Sequence, residues 1–411
     1  MAIEAGGQSL RTVAILGTLM AFASISTDMY LPAMPQMVSA LGASAGQLEW
    51  TISGYLIGFC LGQLVWGPIS DRYGRRLPVA AGLVIFLIGS AGCAMAHSSS
   101  TLIGWRVLQA LGASASVVIA RAIVRDLYRG DGAAKLMSTL MTVMAIAPLV
   151  GPSAGGLILH IATWRAIFWV LVAVGVTTLL ALWSLPETLA RTAQTRNPLS
   201  DAVKAYSHLL RHRTLLGYGS VAGLYFGASF AYVTGSPFLY ITYFHLSPQW
   251  YGAAFAAGIC GIMVANQANV RLLARYSGTT LIRAGASAAA LAAIVAALDI
   301  WGGWGGVTGV VAPLLIVVAA NGLISANAIA GALSCFEGGA GAVSALLGSA
   351  QYGTGMVGSA LVGYFAGDTP LPLDGVIAVM CIGCMLCAWW MLPSDAVQAI
   401  SKQAGFKPAS E

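Results

Sequence analysis

The sequence predicts an all-α membrane protein: twelve transmembrane helices in two pseudo-symmetric six-helix bundles, with N- and C-termini cytoplasmic. Three observations lead there. Of the 411 residues, 58% are hydrophobic and 8% charged, whereas a soluble domain carries about a quarter charged residues. That excludes a water-soluble globular enzyme, and the apolar content excludes disorder. Next, the apolar residues fall into twelve runs: 12–34, 49–68, 77–96, 101–121, 136–160, 165–185, 216–236, 250–270, 281–301, 307–330, 343–366 and 373–392. Each is close to the roughly 20 residues that cross a bilayer as a helix. Finally, the basic residues are lopsided. With the N-terminus inside, 18 of the 20 Lys and Arg lie on the cytoplasmic side, Arg165 lies opposite, and Arg106 lies within the fourth run. This is the positive-inside pattern. One missed span would invert every later loop. The net charge of +6 is spread over these loops rather than gathered on one face, so no nucleic-acid partner is expected.

The elements follow in order. The first run is too long for a signal-peptide core and continues to Pro32 and Pro35, so no cleaved leader is expected. Residues 1–185 make the first bundle. Residues 186–215 open with Pro186-Glu187-Thr188, carry five basic residues and contain Asn197-Pro198. They form a cytoplasmic linker, in part an amphipathic helix on the membrane surface. Residues 216–393 make the second bundle and 394–411 a cytoplasmic tail. A weak repeat supports the halving. Asp71-Arg72-Tyr73-Gly74 follows the second run, and Arg275-Tyr276-Ser277-Gly278 follows the eighth. Such repeats place a substrate site at the bilayer midplane between halves that alternate access. The seven cysteines, with Cys381, Cys384 and Cys387 at i, i+3, i+6, have no His or carboxylate partners in that run and read as packing residues.

Asp28 is the carboxylate clearly inside a span. An acid at mid-helix costs about 2.5–3.5 kcal/mol on insertion scales and marks a proton, ion or substrate path. Gly17, Ala21, Ser24 and Asp28 share one small or polar helix face. The alternative is an interfacial acid near the outer end of the run. Arg106 is the basic residue inside a span, at similar depth, with Gln109, Ala113 and Ser116 on its face. The two charges are expected to feel each other across one cavity. A nearby guanidinium favours the ionised acid and burial opposes it. The alternatives are a fixed ion pair or a snorkelling Arg.

Gly67-Pro68-Ile69-Ser70-Asp71-Arg72-Tyr73-Gly74-Arg75-Arg76 joins the second and third runs. Its glycines suit a tight turn and close helix approach, and its arginines have Asp126 as a candidate partner. The stretch resembles the signature loop of the major facilitator superfamily. Ala147-Pro148-Leu149-Val150-Gly151-Pro152-Ser153-Ala154-Gly155-Gly156 in the fifth run resembles that superfamily's antiporter motif, associated with proton-driven export. Read alone, it is a packing kink, with Pro148, Gly151, Pro152, Gly155 and Gly156 as its elements. Arg106, Gln109 and Gly112 resemble the fourth-helix motif, whose Arg takes part in proton coupling, with one extra residue between Gln109 and the Gly. Ser26-Thr27-Asp28-Met29-Tyr30-Leu31-Pro32-Ala33-Met34-Pro35, and Val118 through Asp126, resemble the Bcr/CflA drug-resistance group. The resemblance implies the major facilitator fold and export of drugs such as bicyclomycin, chloramphenicol, florfenicol or sulfonamides in exchange for protons. Related multidrug exporters carry a second acid two turns before Asp28. Here that position is Met20, which implies one proton per cycle.

The expected function is therefore proton-coupled efflux of drugs or small lipophilic compounds across the bacterial inner membrane, with Asp28 as proton carrier. Loop 67–76 is expected to latch one conformation through Asp71 and Arg75. No cofactor is expected beyond protons as the coupling ion. The expected partners are the lipid bilayer, a small-molecule drug and protons, with the chain monomeric. Tyr30, Tyr55, Gln109, Tyr225, Phe226, Phe230, Asn321, Asn327, Gln351 and Tyr352 sketch a substrate pocket, aromatic walls with a few polar groups suiting a lipophilic drug. Ordinary helix packing is the plain alternative for each. A nutrient uptake carrier on the same fold is the rival function. A membrane enzyme would need a nucleophile–base set or metal ligands in the spans. The five histidines, His97, His160, His208, His212 and His245, lie in loops or at span ends and form no cluster.

Overall fold

The computed structural model describes residues 10–128, 131–189, 198–335, 340–367 and 369–393. The 394–411 tail and Arg129, Arg191, Arg196, Lys402 and Lys407 lie outside the described residues. The fold is all-helical: α1 Leu10–Asp28, α2 Met34–Leu41, α3 Ala45–Tyr73, α4 Arg76–Ala94, α5 Ser99–Leu127, α6 Asp131–Ile161, α7 Trp164–Leu182, α8 Pro198–Leu209, α9 Arg213–Pro237, α10 Pro248–Leu272, α11 Gly278–Gly302, α12 Gly306–Ala319, α13 Asn321–Ser334, α14 Ala340–Phe365 and α15 Leu371–Trp390.

Two expected runs are broken helices. The first is α1, a 3-10 turn at Leu31–Ala33, then α2. Pro32 has no N–H to offer the carbonyl four residues back, that of Asp28, and its ring clashes there. The helix therefore stops at Asp28. The tenth divides at Ala320 into α12 and α13. The expected loop 67–76 also contracts. Pro68 is accommodated inside α3, so the connection is only Gly74 and Arg75. The amphipathic linker helix corresponds to α8, which touches α3 and α14.

Ten of the described helical segments are long and apolar enough to cross a membrane. The other two expected spans correspond to α9 and α14, with 25 and 26 residues. They are long enough, but rich in Gly, Ser, Thr and Tyr. They pack on each other, and α14 packs on α3. Their surroundings are largely protein rather than lipid, which relaxes the demand for hydropathy.

Packing repeats along the chain. In the first part α1 packs on α6, α4 on α5, and α4 on α7. In the second, α9 packs on α14, α11 on α13, and α11 on α15. The two sets meet along α3 with α14 and along α6 with α10. The α6–α10 contact is tight at one end. A Cβ on Gly252 would stand 3.1 Å from Ser153 Oγ, and one on Gly156 would stand 3.2 Å from the Pro248 carbonyl. That end is opposite the Gly74–Arg75 turn.

Candidate functional site

Asp28 is 7% exposed at the terminus of α1. The glycines of α6 let that helix close on the break. A Cβ on Gly151 would stand 3.0 Å from the Asp28 Cβ, and one on Gly155 would collide with the Met29 carbonyl oxygen. Gly156 faces α10 instead. Pro148 and Pro152 lie inside α6, which runs continuously through both. The Gly-Pro stretch is thus a close-approach surface against the helix break that carries the acid.

Arg106 is fully buried in α5. Its guanidinium lies between the rings of Tyr30 and Tyr55, 4.3 Å from each centroid. Nη1 donates to the Ser26 carbonyl at 2.8 Å and to Gln109 Oε1 at 2.6 Å. Gln109 in turn donates to Ser90 Oγ at 2.8 Å. The clamp is itself braced. The Tyr55 and Ser26 hydroxyls share a 2.6 Å hydrogen bond, and the Tyr30 and Thr51 hydroxyls one of 2.9 Å. Nε and Nη2 of Arg106 are buried without a hydrogen-bond partner. Asp28 and Arg106 make no ion pair. The expectation that the two charges feel each other stands without a direct contact: Arg106 acts on the acid through space while it holds the α1 backbone two residues before Asp28. The aromatic sandwich lowers the cost of the buried cation.

The sketched pocket divides. Tyr30, Tyr55 and Gln109 are fully buried parts of the Arg106 clamp. Tyr225 is fully buried, and its hydroxyl donates to the Val317 and Val318 carbonyls at 2.8 and 3.1 Å. Asn327 donates to Asn269 Oδ1 at 2.7 Å and to the Leu323 carbonyl. These residues brace helices and are corrected from pocket walls to packing. Phe226, Phe230 and Tyr352 do cluster, joined by Phe59 from α3. Ring centroids are 4.2 Å apart for Phe59–Tyr352, 5.2 Å for Phe226–Tyr352 and 4.9 Å for Phe226–Phe230. This aromatic group crosses the α3–α14 contact. Gln351 and Asn321 are half-buried.

At the opposite end of α3, the Gly74–Arg75 turn holds a polar network. Arg75 pairs with Asp71 at 2.6 Å and Asp126 at 2.8 Å, and donates to Ser70 Oγ at 2.7 Å. Glu187 accepts from the backbone N–H of Arg75 at 2.8 Å and of Arg76 at 3.1 Å. Burial pushes the Glu187 carboxyl up, but four backbone N–H donors outweigh it and hold it below the usual carboxylate value. Gly74 has φ +87, and a Cβ there would stand 2.7 Å from the Glu187 carboxylate. Gly67 needs no such freedom, since its Cβ would meet Val118 at an ordinary 3.9 Å. Arg76 donates to the Trp183 carbonyl at 2.9 Å and stacks on its ring, while Arg72 is exposed over Tyr73. All these partners lie between α3 and the segment after α7. The repeat sequence at Arg275–Gly278 is a plain capped start to α11, with Ser277 accepting from Thr280 N–H.

Sequence reasoning missed three acids. Glu187 looked like linker. Glu49 and Asp374 sat at the edges of runs, yet α3 begins at Ala45 and α15 at Leu371, so both are inside helices. Glu49 is 4% exposed and Asp374 fully buried. Asp28 is therefore not alone. Arg121, expected in a loop, is likewise within α5.

The described residues hold no group of three or more His, Cys, Asp or Glu placed to bind a metal. Their cysteines are free. A transporter's parts are present instead: a broken first helix, a buried acid, and two helix sets meeting along two seams.

The sequence matches the Major Facilitator Superfamily over residues 16–359, and the chain belongs to that family of membrane transporters. It is 38% identical to an uncharacterized MFS-type transporter, YdgK, of Bacillus subtilis, over 63% of this chain and 65% of that one. It is 30% identical to a bicyclomycin resistance protein homolog of Haemophilus influenzae, over 92% and 95% of the two chains. It is also 30% identical to a chloramphenicol resistance protein of Pseudomonas aeruginosa, over 82% and 79%. The names of the latter two agree with the Bcr/CflA resemblance. Among solved structures, a bacterial homolog of the human lysosomal transporter Spinster superposes with a TM-score of 0.74 over 98% of this chain and 100% of that one, at 15% identity. The fold is the same. The chain is thus a multi-pass membrane transporter and not an enzyme.

Proposed function

We propose that the protein exports drugs or small lipophilic compounds across the bacterial inner membrane in exchange for protons, with Asp28 as the proton carrier. The observation that carries this reading is the placement of Asp28. It is buried at a helix break, packed against the glycine face of α6, and free of an ion pair. A carboxylate locked to Arg106 would hold its charge through the cycle. Here Arg106 bonds Ser26 and Gln109 through Nη1 and makes no ion pair with Asp28, which leaves the acid able to gain and lose a proton. Relatives named for bicyclomycin and chloramphenicol resistance support drugs as the cargo.

In this reading α9 and α14 complete twelve spans, and the Gly74–Arg75 turn and both termini face the cytoplasm. The first six spans and the last six rock against each other around the aromatic group at the α3–α14 seam. Asp28 takes a proton from outside, and substrate displaces it toward the cytoplasm. Coupling requires that the two conformations differ in their preference for proton and substrate. The Arg75–Asp71–Asp126 network stabilises one of them. The chain works as a monomer without a cofactor.

The test is Asp28→Asn in proteoliposomes. Gradient-driven drug transport is expected to vanish, while insertion and gradient-independent drug exchange persist. Undiminished proton-driven transport by the variant would refute the role of Asp28.

A further inference from the structure

Glu49 lies one turn into α3, at the end of the molecule away from the Gly74–Arg75 turn. Its side chain is 4% exposed, and Oε2 is buried with no hydrogen-bond partner. It lines a cavity of about 540 Å³. Only Ala45 and Glu49 come from the first helix set. The remaining wall comes from the end of α9, the segment after it, the end of α14 and the start of α15. That segment is a π-helical turn, Phe238–Tyr243, which widens the coil and swings successive side chains to one side. Phe238, Thr242 and Tyr243 border the space, with Leu373 and Pro372 of α15 across from them.

The wall chemistry is selective. Among the described residues it contains one carboxylate, no Lys or Arg, the rings of Phe238, Tyr243 and His245, two threonines and otherwise apolar residues. His245 is the other titratable nitrogen or acid on it, and it is exposed. Asp374, one residue beyond Leu373, is a second buried carboxyl whose oxygens have no hydrogen-bond partner, but it is not part of the wall. An unpaired acid among aromatic faces attracts a cation that tolerates losing water, because ring faces and the acid act on it together. A strongly hydrated metal ion would want more oxygen ligands than one carboxylate supplies.

We propose that this cavity is a second ligand site, distinct from Asp28, that takes a lipophilic monocation of the quaternary ammonium or phosphonium kind with Glu49 as its counter-charge. Its walls come from both helix sets, so an occupant holds the two together at this end. The site goes beyond the export reading and does not require Asp28 to carry protons.

The experiment is equilibrium binding of tetraphenylphosphonium to the full chain in lipid nanodiscs, without any gradient. Wild type binds saturably. Glu49→Gln weakens binding at least tenfold, and Glu49→Asp, which keeps the charge, restores most of it. Thr242→Trp fills the cavity from the facing wall with every acid intact and is also expected to lose binding. Absence of saturable binding by wild type overturns the proposal. So does loss in Asp28→Asn with retention in Glu49→Gln, which would seat the cation at Asp28. Undiminished proton-driven transport by Asp28→Asn, which would sink the export reading, leaves this measurement standing, since it needs no transport.

Discussion

At Arg106 a planar cation lies between two phenol rings while one nitrogen reaches both α1 and Gln109. Lysine supplies charge without the plane or the fork. Arg106→Lys is expected to lose on the order of 2 kcal/mol of stability, from two desolvated ring contacts, and most of the transport rate. Thermal unfolding in detergent and drug efflux by cells measure the two. Tyr55→Phe keeps the ring and removes the hydroxyl's bonds to Ser26 and, at 3.4 Å, to the Ala23 carbonyl, so its stability loss should be about 1 kcal/mol. A Tyr55→Phe loss as large as that of Arg106→Lys would show that the hydroxyl, not the stack, holds the site.

Helix α6 shows what its glycines are for. At Gly155 an added methyl would run into the Met29 carbonyl, whereas at Gly67 it would meet Val118 at 3.9 Å. Gly155→Ala should force α6 away from the α1 break and cut efflux at least tenfold. Gly67→Ala should be close to neutral, or slightly favourable, because it restrains the unfolded helix. The Gly74–Arg75 turn depends on Glu187, whose carboxyl is held below its usual value by backbone donors. A depressed acid contributes stability that is complete above the unfolded-state value of about 4.3. That stability is lost as pH falls through the lower folded-state value. The turn should therefore stay closed at neutral and mildly acidic pH and loosen only in strong acid. Glu187→Gln should open it at pH 7, seen as faster tryptic cleavage after Arg75 and Arg76.

For the molecule as a whole, the proposed export cycle requires the seam between α6 and α10 to open and close. Ser153 and Gly252 face each other at its tight end, close enough for a disulfide. In a chain whose seven native cysteines are replaced, Ser153→Cys with Gly252→Cys should stop transport on oxidation and recover it on reduction. Continued transport by the oxidised, cross-linked protein would mean that this end need not open. The Arg75 network, by contrast, has its partners between α3 and the stretch after α7. Those contacts stiffen the first helix set.

Apolar length and the asymmetry of basic residues are one-dimensional quantities. They were enough for an all-helical membrane protein and for Asp28 and Arg106 as the residues worth following; the family came from the motifs at 26–35, 67–76 and 147–156, and the break after Asp28 was not foreseen. Asp126 as a partner of Arg75 was also legible, because opposite charges fell on neighbouring loops. The sequence did not show that Arg106 is clamped by Tyr30 and Tyr55, or that Gly151 and Gly155 seat α6 on the Asp28 break. Nor did it place Glu187 beneath a turn 112 residues away, or show that Glu49 lies buried on a cavity wall. Each depends on which face of one helix meets which face of another. That is decided by packing among distant segments, and a string of residues contains hydropathy and period but not contact.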